Sequence, residues 1–284
     1  MAISLSDLKQ VRADKPPRLL VYGPPGIGKT TLASEFPNAV FLQIEDGTPG
    51  DTELTSFGEL SNYGDVMDAL AAIYQEDHEY RTLVIDSVTK LEKLVFAEAC
   101  RRGDEHGNAK ANIEDFGYGK GYVYAFRVME EIVEAINAIR NDRKIGVILI
   151  AHSNVQRFDD PETVSYDRYE IALRTSDKPN ADIRGMVERE MDGILLLKQP
   201  VNIKGEDRKG AAAKTDKAIA RVRADGGGAI LIHAIGKPAY TAKNRYGIPN
   251  TVRYDKGKGF AALAPYLPGY EAPTTVAADK KEAA

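Results

Sequence analysis

One stretch decides the fold of this chain: Gly23-Pro24-Pro25-Gly26-Ile27-Gly28-Lys29-Thr30. Its spacing is G-x-x-x-x-G-K-[ST], and it lies between an apolar run at 19–22 and a helix-permissive segment at 30–35. In this order of strand, glycine loop and helix, the glycines let backbone N–H groups turn toward phosphate oxygens. The helix N-terminus adds a partial positive charge at the same place. The stretch therefore predicts a P-loop that binds nucleotide phosphates.

The loop also assigns roles to individual side chains. We expect Lys29 to reach the β- and γ-phosphates, where it would stabilise the charge that develops during transfer, and Thr30 to offer its hydroxyl to Mg²⁺. ATP and Mg²⁺ are therefore the expected cofactors. The residues predicted to contact the nucleotide here are Gly23, Pro24, Pro25, Gly26, Ile27, Gly28, Lys29, Thr30 and Thr31.

Composition is that of a soluble globular protein, with 284 residues, 43% hydrophobic and 28% charged. A single cysteine excludes an intramolecular disulfide and favours a cytoplasmic setting. No apolar run reaches the length of a membrane span, and the first residues lack the features of a signal peptide. The net charge of −4 argues against indiscriminate binding of polyanions but leaves room for a local basic groove.

Continuous apolar segments alternate with segments of helical spacing. Further strands are predicted at 39–44, 82–87, 145–150 and 193–197, and helices at 66–74, 91–99 and 123–139. This alternation predicts a parallel sheet covered on both faces. Beyond 197 the pattern changes, and 218–223 and 229–235 are expected to pair as antiparallel strands around a Gly-rich turn.

The predicted fold is therefore α/β, a P-loop NTPase core with a mostly parallel sheet flanked by helices and with antiparallel C-terminal strands. An N-terminal arm is expected at 1–16 and the core at 17–267. Residues 268–284 are rich in Ala, Pro, Thr, Lys and Glu and are expected to form a disordered tail.

Acidic residues lie at or just after the ends of two of the predicted strands. Asp86 is the expected Walker B acid, holding Mg²⁺ opposite Thr30, although it could instead cap the next helix. Typical AAA+ ATPases place a water-activating Glu directly after this acid, and here the position holds Ser87. The candidate base is Glu45, with Asp46 as the competing choice. Alternatively, this acid pair only begins a turn.

Two further features lie at the ends of predicted strands or between them. His152 ends the fourth strand and is a candidate sensor of the γ-phosphate, or a structural histidine. Lys243 and Arg245 flank an Asn in a loop between strands. In an oligomer such a loop can reach a neighbour's γ-phosphate and stabilise transition-state charge, so either cation is a candidate finger in trans. The alternative is a solvated basic turn.

Two long segments, 101–124 and 153–180, are expected to be loops that contact single-stranded DNA. Both mix aromatic and basic residues, which suit stacked bases and phosphates, although both also carry acids. The residues are Arg101, Arg102, Lys110, Phe116, Tyr118, Lys120, Tyr122 and Tyr124 in the first, and Arg157, Phe158, Tyr166, Arg168, Tyr169, Arg174 and Lys178 in the second.

With these residues in view, the chain resembles the phage RecA-like ATPases, among them single-strand annealing proteins built on a minimal RecA/RadA-type core. The matching stretches are 23–30, 41–47, 83–87, 116–122, 148–152 and 242–249. Ile44-Glu45-Asp46-Gly47 and Lys243-Asn244-Arg245-Tyr246-Gly247 carry most of the specificity, the latter being similar to the lysine-asparagine-arginine loop of RadA-type proteins. The sensor glutamine of the RecA family is replaced here by His152 or its neighbours.

This resemblance implies an ATPase that acts on single-stranded DNA during phage recombination or replication, in the cytoplasm of the bacterial host. It implies Glu45 as the base, the two long segments as DNA-facing loops, and self-association into a ring or filament. A single-strand-binding protein is a further expected partner. Two other classes remain open from the sequence, a P-loop kinase with 153–180 as its lid and a nucleotide-gated scaffold without catalysis.

Overall fold

The computed structural model describes residues 4, 14–47, 50, 52–200, 202–204, 223–225 and 229–270. The strands are β1 Arg18–Gly23, β2 Ala39–Gln43, β3 Thr55–Glu59, β4 Thr82–Asp86, β5 Gly146–Phe158, β6 Tyr166–Ile171, β7 Gly193–Lys198, β8 Asn202–Lys204, β9 Arg223–Asp225, β10 Ile230–His233, β11 Lys243–Asn244 and β12 Thr251–Tyr254. The α-helices are α1 Lys29–Ser34, α2 Tyr63–Gln75, α3 Val88–Arg102, α4 Lys120–Asp142, α5 Ile183–Glu190 and α6 Gly259–Leu263.

The main sheet has the strand order β3-β2-β4-β5-β1-β7-β10-β12. The six strands from β3 to β7 are parallel to one another, and β10 and β12 are antiparallel additions at the β7 edge. This sheet confirms the predicted fold class, an α/β core with antiparallel strands late in the chain. The P-loop follows β1, as the sequence predicted, and β1 lies in the middle of the sheet.

The sheet has a separate apolar core on each face, because successive side chains of a strand point to opposite sides. Leu20 packs with helices α2, α3, α4 and α5 in one cluster, and its neighbour Leu19 packs with α1 and α6 in the other. Both leucines are fully buried. No helix in the described part of the chain is long and apolar enough to cross a membrane.

The first expected DNA loop, 101–124, is shorter than predicted. Arg101 and Arg102 end α3, where both pair with Glu98 at helical spacing, and a 3₁₀ helix covers Ile113–Phe116. The first turns of α4 take up 120–124. Glycine is unfavourable inside a helix, but a Cβ at Gly121 would lie 2.1 Å from the carbonyl oxygen of Ile113. Close backbone packing explains that glycine, and the loop prediction was wrong at both ends.

The prediction of a loop at 153–180 was wrong, because much of this segment is a β-hairpin. β5 continues past the sheet to Phe158, turns at 159–165 and returns as β6, so this part of the segment is an antiparallel hairpin. Its side chains are mostly polar on both faces, and for that reason no apolar alternation marked it as a strand. After β6 the chain is irregular as far as a short 3₁₀ helix at Pro179–Ala181.

The C-terminal strands pair differently from the prediction. Residues 218–222 lie outside the described part of the chain, and β9 pairs with β8 rather than with β10. β10 lies between β7 and β12, and its Ile232 is fully buried there. The core also extends beyond residue 267, since the Tyr270 ring packs edge-on against Phe36. Most of the expected arm and the rest of the expected tail lie outside the described residues.

Candidate nucleotide-binding site

The P-loop backbone needs glycine at particular positions. A Cβ at Gly23 would lie 2.5 Å from the carbonyl oxygen of Leu197 in the neighbouring strand β7. Gly26 and Gly28 have φ values of 71° and 97°, in the left-handed region that favours glycine. No atom lies within 4 Å of a Cβ placed at Gly26. The loop is thus held against the sheet at one end and open to a ligand at its exposed turn.

Lys29 is the first residue of α1, and its side chain folds back over the loop. Its Nζ donates to the carbonyl oxygens of Gly23 and Pro24, each at 3.0 Å. Burial lowers the pKa of Lys29, while the nearby Asp86 and Glu45 carboxylates act in the opposite direction. A phosphate at the loop would supply the counter-charge that this buried ammonium favours.

Thr30 and Asp86 face each other across the start of α1. The Thr30 hydroxyl donates to Asp86 Oδ2 at 2.6 Å, and Asp86 is 9% exposed. Burial raises the pKa of Asp86, the Thr30 hydrogen bond lowers it, and the Glu45 carboxylate raises it further. A hydroxyl and a carboxylate are oxygen ligands of the kind Mg²⁺ takes beside a nucleotide, so the pair fits the expected metal.

Glu45 and His152 meet above this pair. His152 Nε2 lies 3.1 Å from Glu45 Oε1, and each side chain is about one-third exposed. The backbone N–H of His152 donates to the Thr89 hydroxyl at 3.0 Å. Asp46, the competing candidate, is exposed and has no side-chain partner among the described residues. The contact with His152 therefore distinguishes Glu45 from its neighbour.

The strand order explains why these residues converge. β5 lies between β1 and β4, and β2 lies beyond β4. His152 is in register with Gly23, and Asp86 is in register with both Ile150 and Gln43. Because these strands are parallel, the residues at their carboxyl ends share one edge of the sheet. Lys29, Thr30, Glu45, Asp86 and His152 gather there, while Thr31 follows on α1.

Lys243 and Arg245 lie elsewhere. β11 pairs with the start of β7, where Lys243 faces Ile194, whereas the P-loop adjoins Leu197 near its end. Lys243 Nζ donates to the carbonyl oxygens of Glu188 at 2.8 Å and Arg189 at 3.0 Å. Arg245 NH1 donates to the buried Asp192 at 3.0 Å, with the Arg245 side chain 56% exposed. The strand rise of about 3.3 Å per residue puts β11 roughly 10 Å from the P-loop edge.

The two segments expected to contact DNA meet at one point. The Arg174 guanidinium lies 3.3 Å from the centre of the Tyr122 ring. Two residues earlier, the Ala172 N–H donates to the carbonyl oxygen of His152 at 2.9 Å. A short chain of contacts thus links the start of α4, the base of the hairpin and the nucleotide site.

Sequence reasoning missed two contributors to the site. The Leu197 carbonyl oxygen limits the P-loop to glycine at position 23, and the Thr89 hydroxyl accepts the His152 amide. A contact made by a backbone carbonyl cannot be recognised from the residue type, so no sequence pattern indicated the role of Leu197. Thr89 did have a signal, because it lies three residues after Asp86, just before the helix predicted at 91–99.

Comparison with known families agrees with this geometry. A family described as an AAA domain matches residues 15–246, which include the P-loop, Asp86, Glu45, His152 and β11. No curated protein gives a significant match. The sequence argument favoured a RecA-type core over an AAA type, and both are P-loop ATPases. The match covers most of the chain, and the chain belongs to this AAA-domain family of P-loop ATPases.

Proposed function

We propose that this chain is an ATP-hydrolysing, RecA-like protein that acts on single-stranded DNA in phage recombination or replication, through annealing or recombinase-type activity. The observation that carries the proposal is the position of Glu45. Ser87 occupies the place after Asp86, and Glu45 reaches the same edge from the end of β2, where it contacts His152. A base on this strand is the arrangement that the RecA resemblance implies.

In this proposal each residue of the site has one task. The P-loop N–H groups and Lys29 bind the β- and γ-phosphates. Thr30 and Asp86 hold Mg²⁺, which supplies charge neutralisation on the phosphate oxygens. Glu45 orients a water molecule toward the γ-phosphorus and accepts its proton. As the new P–O bond forms, the bond to the β–γ bridging oxygen breaks, giving ADP and inorganic phosphate. His152 contacts Glu45 and is the candidate γ-phosphate sensor.

DNA and self-association are the further parts of the proposal. Support for DNA comes from the Arg174–Tyr122 contact, which joins the two segments expected to bind DNA. Arg174 lies two residues after Ala172, whose N–H donates to the His152 carbonyl oxygen. Ligand contact at these segments could thus be transmitted to Glu45. Support for association comes from the distance between β11 and its own P-loop, because Lys243 or Arg245 could reach a γ-phosphate only in a neighbouring subunit.

The test is ATP hydrolysis with and without single-stranded DNA. We expect Glu45→Gln to retain ATP binding and to lose at least about 100-fold in turnover, the contribution typical of a general base. Asp46→Asn is the matched control, being adjacent and without a described partner, and should hydrolyse ATP at the wild-type rate. Stimulation of the wild type by single-stranded DNA supports the DNA proposal.

Other outcomes point to other functions. Full activity in Glu45→Gln would remove Glu45 as the base. Hydrolysis that DNA does not change would contradict the DNA role. Phosphorylation of a small-molecule acceptor would indicate a kinase, and binding of ATP without turnover would indicate a nucleotide-gated scaffold.

A further inference from the structure

One aromatic side chain has no packing role. Tyr118 is 96% exposed, the most exposed large apolar or aromatic side chain in the described part of the chain. It lies between Gly117 and Gly119 and has a φ of 49°, a conformation that a bulky residue adopts at a cost. Glycine neighbours contribute no side chains, so the ring is open to solvent. A polar residue would meet no obstacle at this position.

The remaining aromatic residues of this segment are engaged. The Phe116 ring packs against Tyr124 with centroids 5.2 Å apart. The Tyr122 ring lies under Arg174 and edge-on to Phe96 at 5.8 Å. Each of these rings therefore already has a packing partner within the protein. Of the aromatics predicted to contact DNA in 101–124, Tyr118 is the one left available.

The cations of the segment divide in the same way. Arg101 and Arg102 pair with Glu98, and Lys110 pairs with Asp104 at 3.0 Å. Lys120, at the start of α4, is exposed and has no side-chain partner among the described residues, and the same holds for Arg127. The two are seven positions apart on α4.

That spacing puts both cations on one face of the helix, about 10 Å apart along its axis, and beginning two residues from Tyr118. Two acids lie close to Tyr118 in the sequence, and each accepts a hydrogen bond from a neutral donor. Glu114 accepts a hydrogen bond from the Tyr122 hydroxyl at 3.0 Å, and Asp115 caps the backbone at Asn112. The surface therefore offers an open ring together with two free cations.

We propose that Tyr118 stacks on a base of single-stranded DNA while Lys120 and Arg127 contact its phosphates. An open ring beside free cations is the arrangement that binds single strands without reading their sequence. A protein partner would instead call for an apolar surface around the ring, and glycines and a lysine surround it here. This inference rests on the proposed function and names the DNA-contact residues that the function requires.

The test measures binding of an oligothymidine to the full chain with saturating ATP and Mg²⁺. We expect Tyr118→Ala to bind about 10-fold more weakly, within the range for loss of one stacked base, and Tyr118→Phe to bind like the wild type. The matched control is Tyr266→Ala, which removes another partly exposed tyrosine, 36% exposed, far along the chain. It should bind like the wild type. Melting temperature checks that each variant is folded.

A second variant reports on the ring itself. The chain has no tryptophan, so Tyr118→Trp introduces a single tryptophan, which can be excited separately from the tyrosines. Stacking predicts quenching by oligothymidine and much weaker quenching by an abasic oligomer of the same length, because the abasic strand keeps the phosphates and lacks the bases.

Each result has a distinct meaning. Unchanged DNA affinity in Tyr118→Ala, or equal quenching by the two oligomers, overturns the stacking role and leaves the proposed function standing. Failure of the wild type to bind single-stranded DNA at all overturns both. If Tyr118→Ala binds DNA normally but loses self-association in light scattering, the ring is a protein contact and the inference is wrong.

Discussion

At the scale of single residues, Thr30 and Asp86 make the contact most directly tied to metal binding. In Asp86→Asn the carboxylate is replaced by an amide, a poor ligand for Mg²⁺. We expect wild-type ATP affinity to fall when EDTA removes Mg²⁺, and Asp86→Asn to show weak affinity that EDTA barely changes. Titration of a fluorescent ATP analogue with and without EDTA measures both.

Asp68→Asn is the control for this prediction, since Asp68 is an exposed acid on α2. It should respond to EDTA as the wild type does. If Asp86→Asn kept a full response to Mg²⁺, the alternative role of Asp86 as a helix cap would be favoured instead. That alternative already has a competitor, because the Ser87 hydroxyl accepts the Lys90 amide at the start of α3.

Residue type and spacing predicted which residues come together at the centre of the candidate site, because phosphate and metal chemistry restrict both. Gly23, Lys29, Thr30 and Asp86 converge at one edge of the sheet, as their positions after predicted strands indicated. The Glu45–His152 contact was not foreseen as a pair, since it bridges two strands separated by β4. Such a pairing depends on strand order, and strand order is not encoded in local spacing.

At the scale of elements, α1 is joined to the C-terminal part of the core by one carboxylate. Glu35 caps the end of α1 and accepts hydrogen bonds from the N–H groups of Gly257, Gly259 and Phe260 and from the Tyr254 hydroxyl. α6 packs closely on α1 here, because a Cβ at Gly259 would lie 2.3 Å from Leu32 Cδ1. The helix that carries Lys29 and Thr30 is thus stabilised by contacts with α6 and the segment before it.

This arrangement predicts the effect of Glu35→Ala. The variant removes the carboxylate that accepts these four hydrogen bonds. We expect its free energy of unfolding to fall by about 3 kcal/mol, the scale for hydrogen bonds to a charged group. ATP affinity should fall as well, since α1 loses its support. Urea denaturation and ATP titration measure the two effects. Glu35→Gln keeps one acceptor oxygen and should lose less than Glu35→Ala.

The control for this prediction is Glu134→Ala, which removes an exposed acid from α4. It should be as stable as the wild type, because alanine suits a helix. A stability for Glu35→Ala equal to that of Glu134→Ala would mean that water replaces Glu35 at no cost.

The long helices and the central strands were predicted within a few residues, whereas the polar hairpin and the short helices α5 and α6 were not. α4, predicted at 123–139, spans Lys120–Asp142, whereas the hairpin of β5 and β6 was missed altogether. The strands of the core are buried on both faces, and for this reason they can be predicted from continuous apolar runs in the sequence. The outer half of β5 is held by its ladder to β6 and by the contact between the tilted rings of Phe158 and Tyr166, with centroids 5.5 Å apart. Neither contact has a local sequence pattern.

At the scale of the whole molecule, the P-loop and β11 lie toward opposite ends of β7. A site on one side and a cation on the other suit a head-to-tail interface, in which each subunit completes its neighbour's site. Arg245 is available for this, since its side chain is 56% exposed and one guanidinium nitrogen is engaged by Asp192. Arg18 and Arg140 also hold Asp192, so removal of Arg245 should leave that acid paired.

We therefore expect two inactive variants to restore each other. Glu45→Gln lacks the proposed base and Arg245→Ala lacks the proposed finger, so each alone should hydrolyse ATP slowly. In a mixed oligomer, an Arg245→Ala subunit supplies Glu45 and an adjacent Glu45→Gln subunit supplies Arg245. Random 1:1 mixing makes about one quarter of the sites complete in a head-to-tail assembly, and ATPase activity should rise to about that fraction of wild type.

The control pairs two changes on the same side of the interface. Lys29→Ala and Glu45→Gln both damage the subunit that holds the nucleotide, so no mixed site has both residues, and mixing should restore nothing. Co-expression of each pair ensures that subunits mix during assembly. If Glu45→Gln and Arg245→Ala together were no more active than their average, Arg245 would not act in trans, and its contact with Asp192 would be its role.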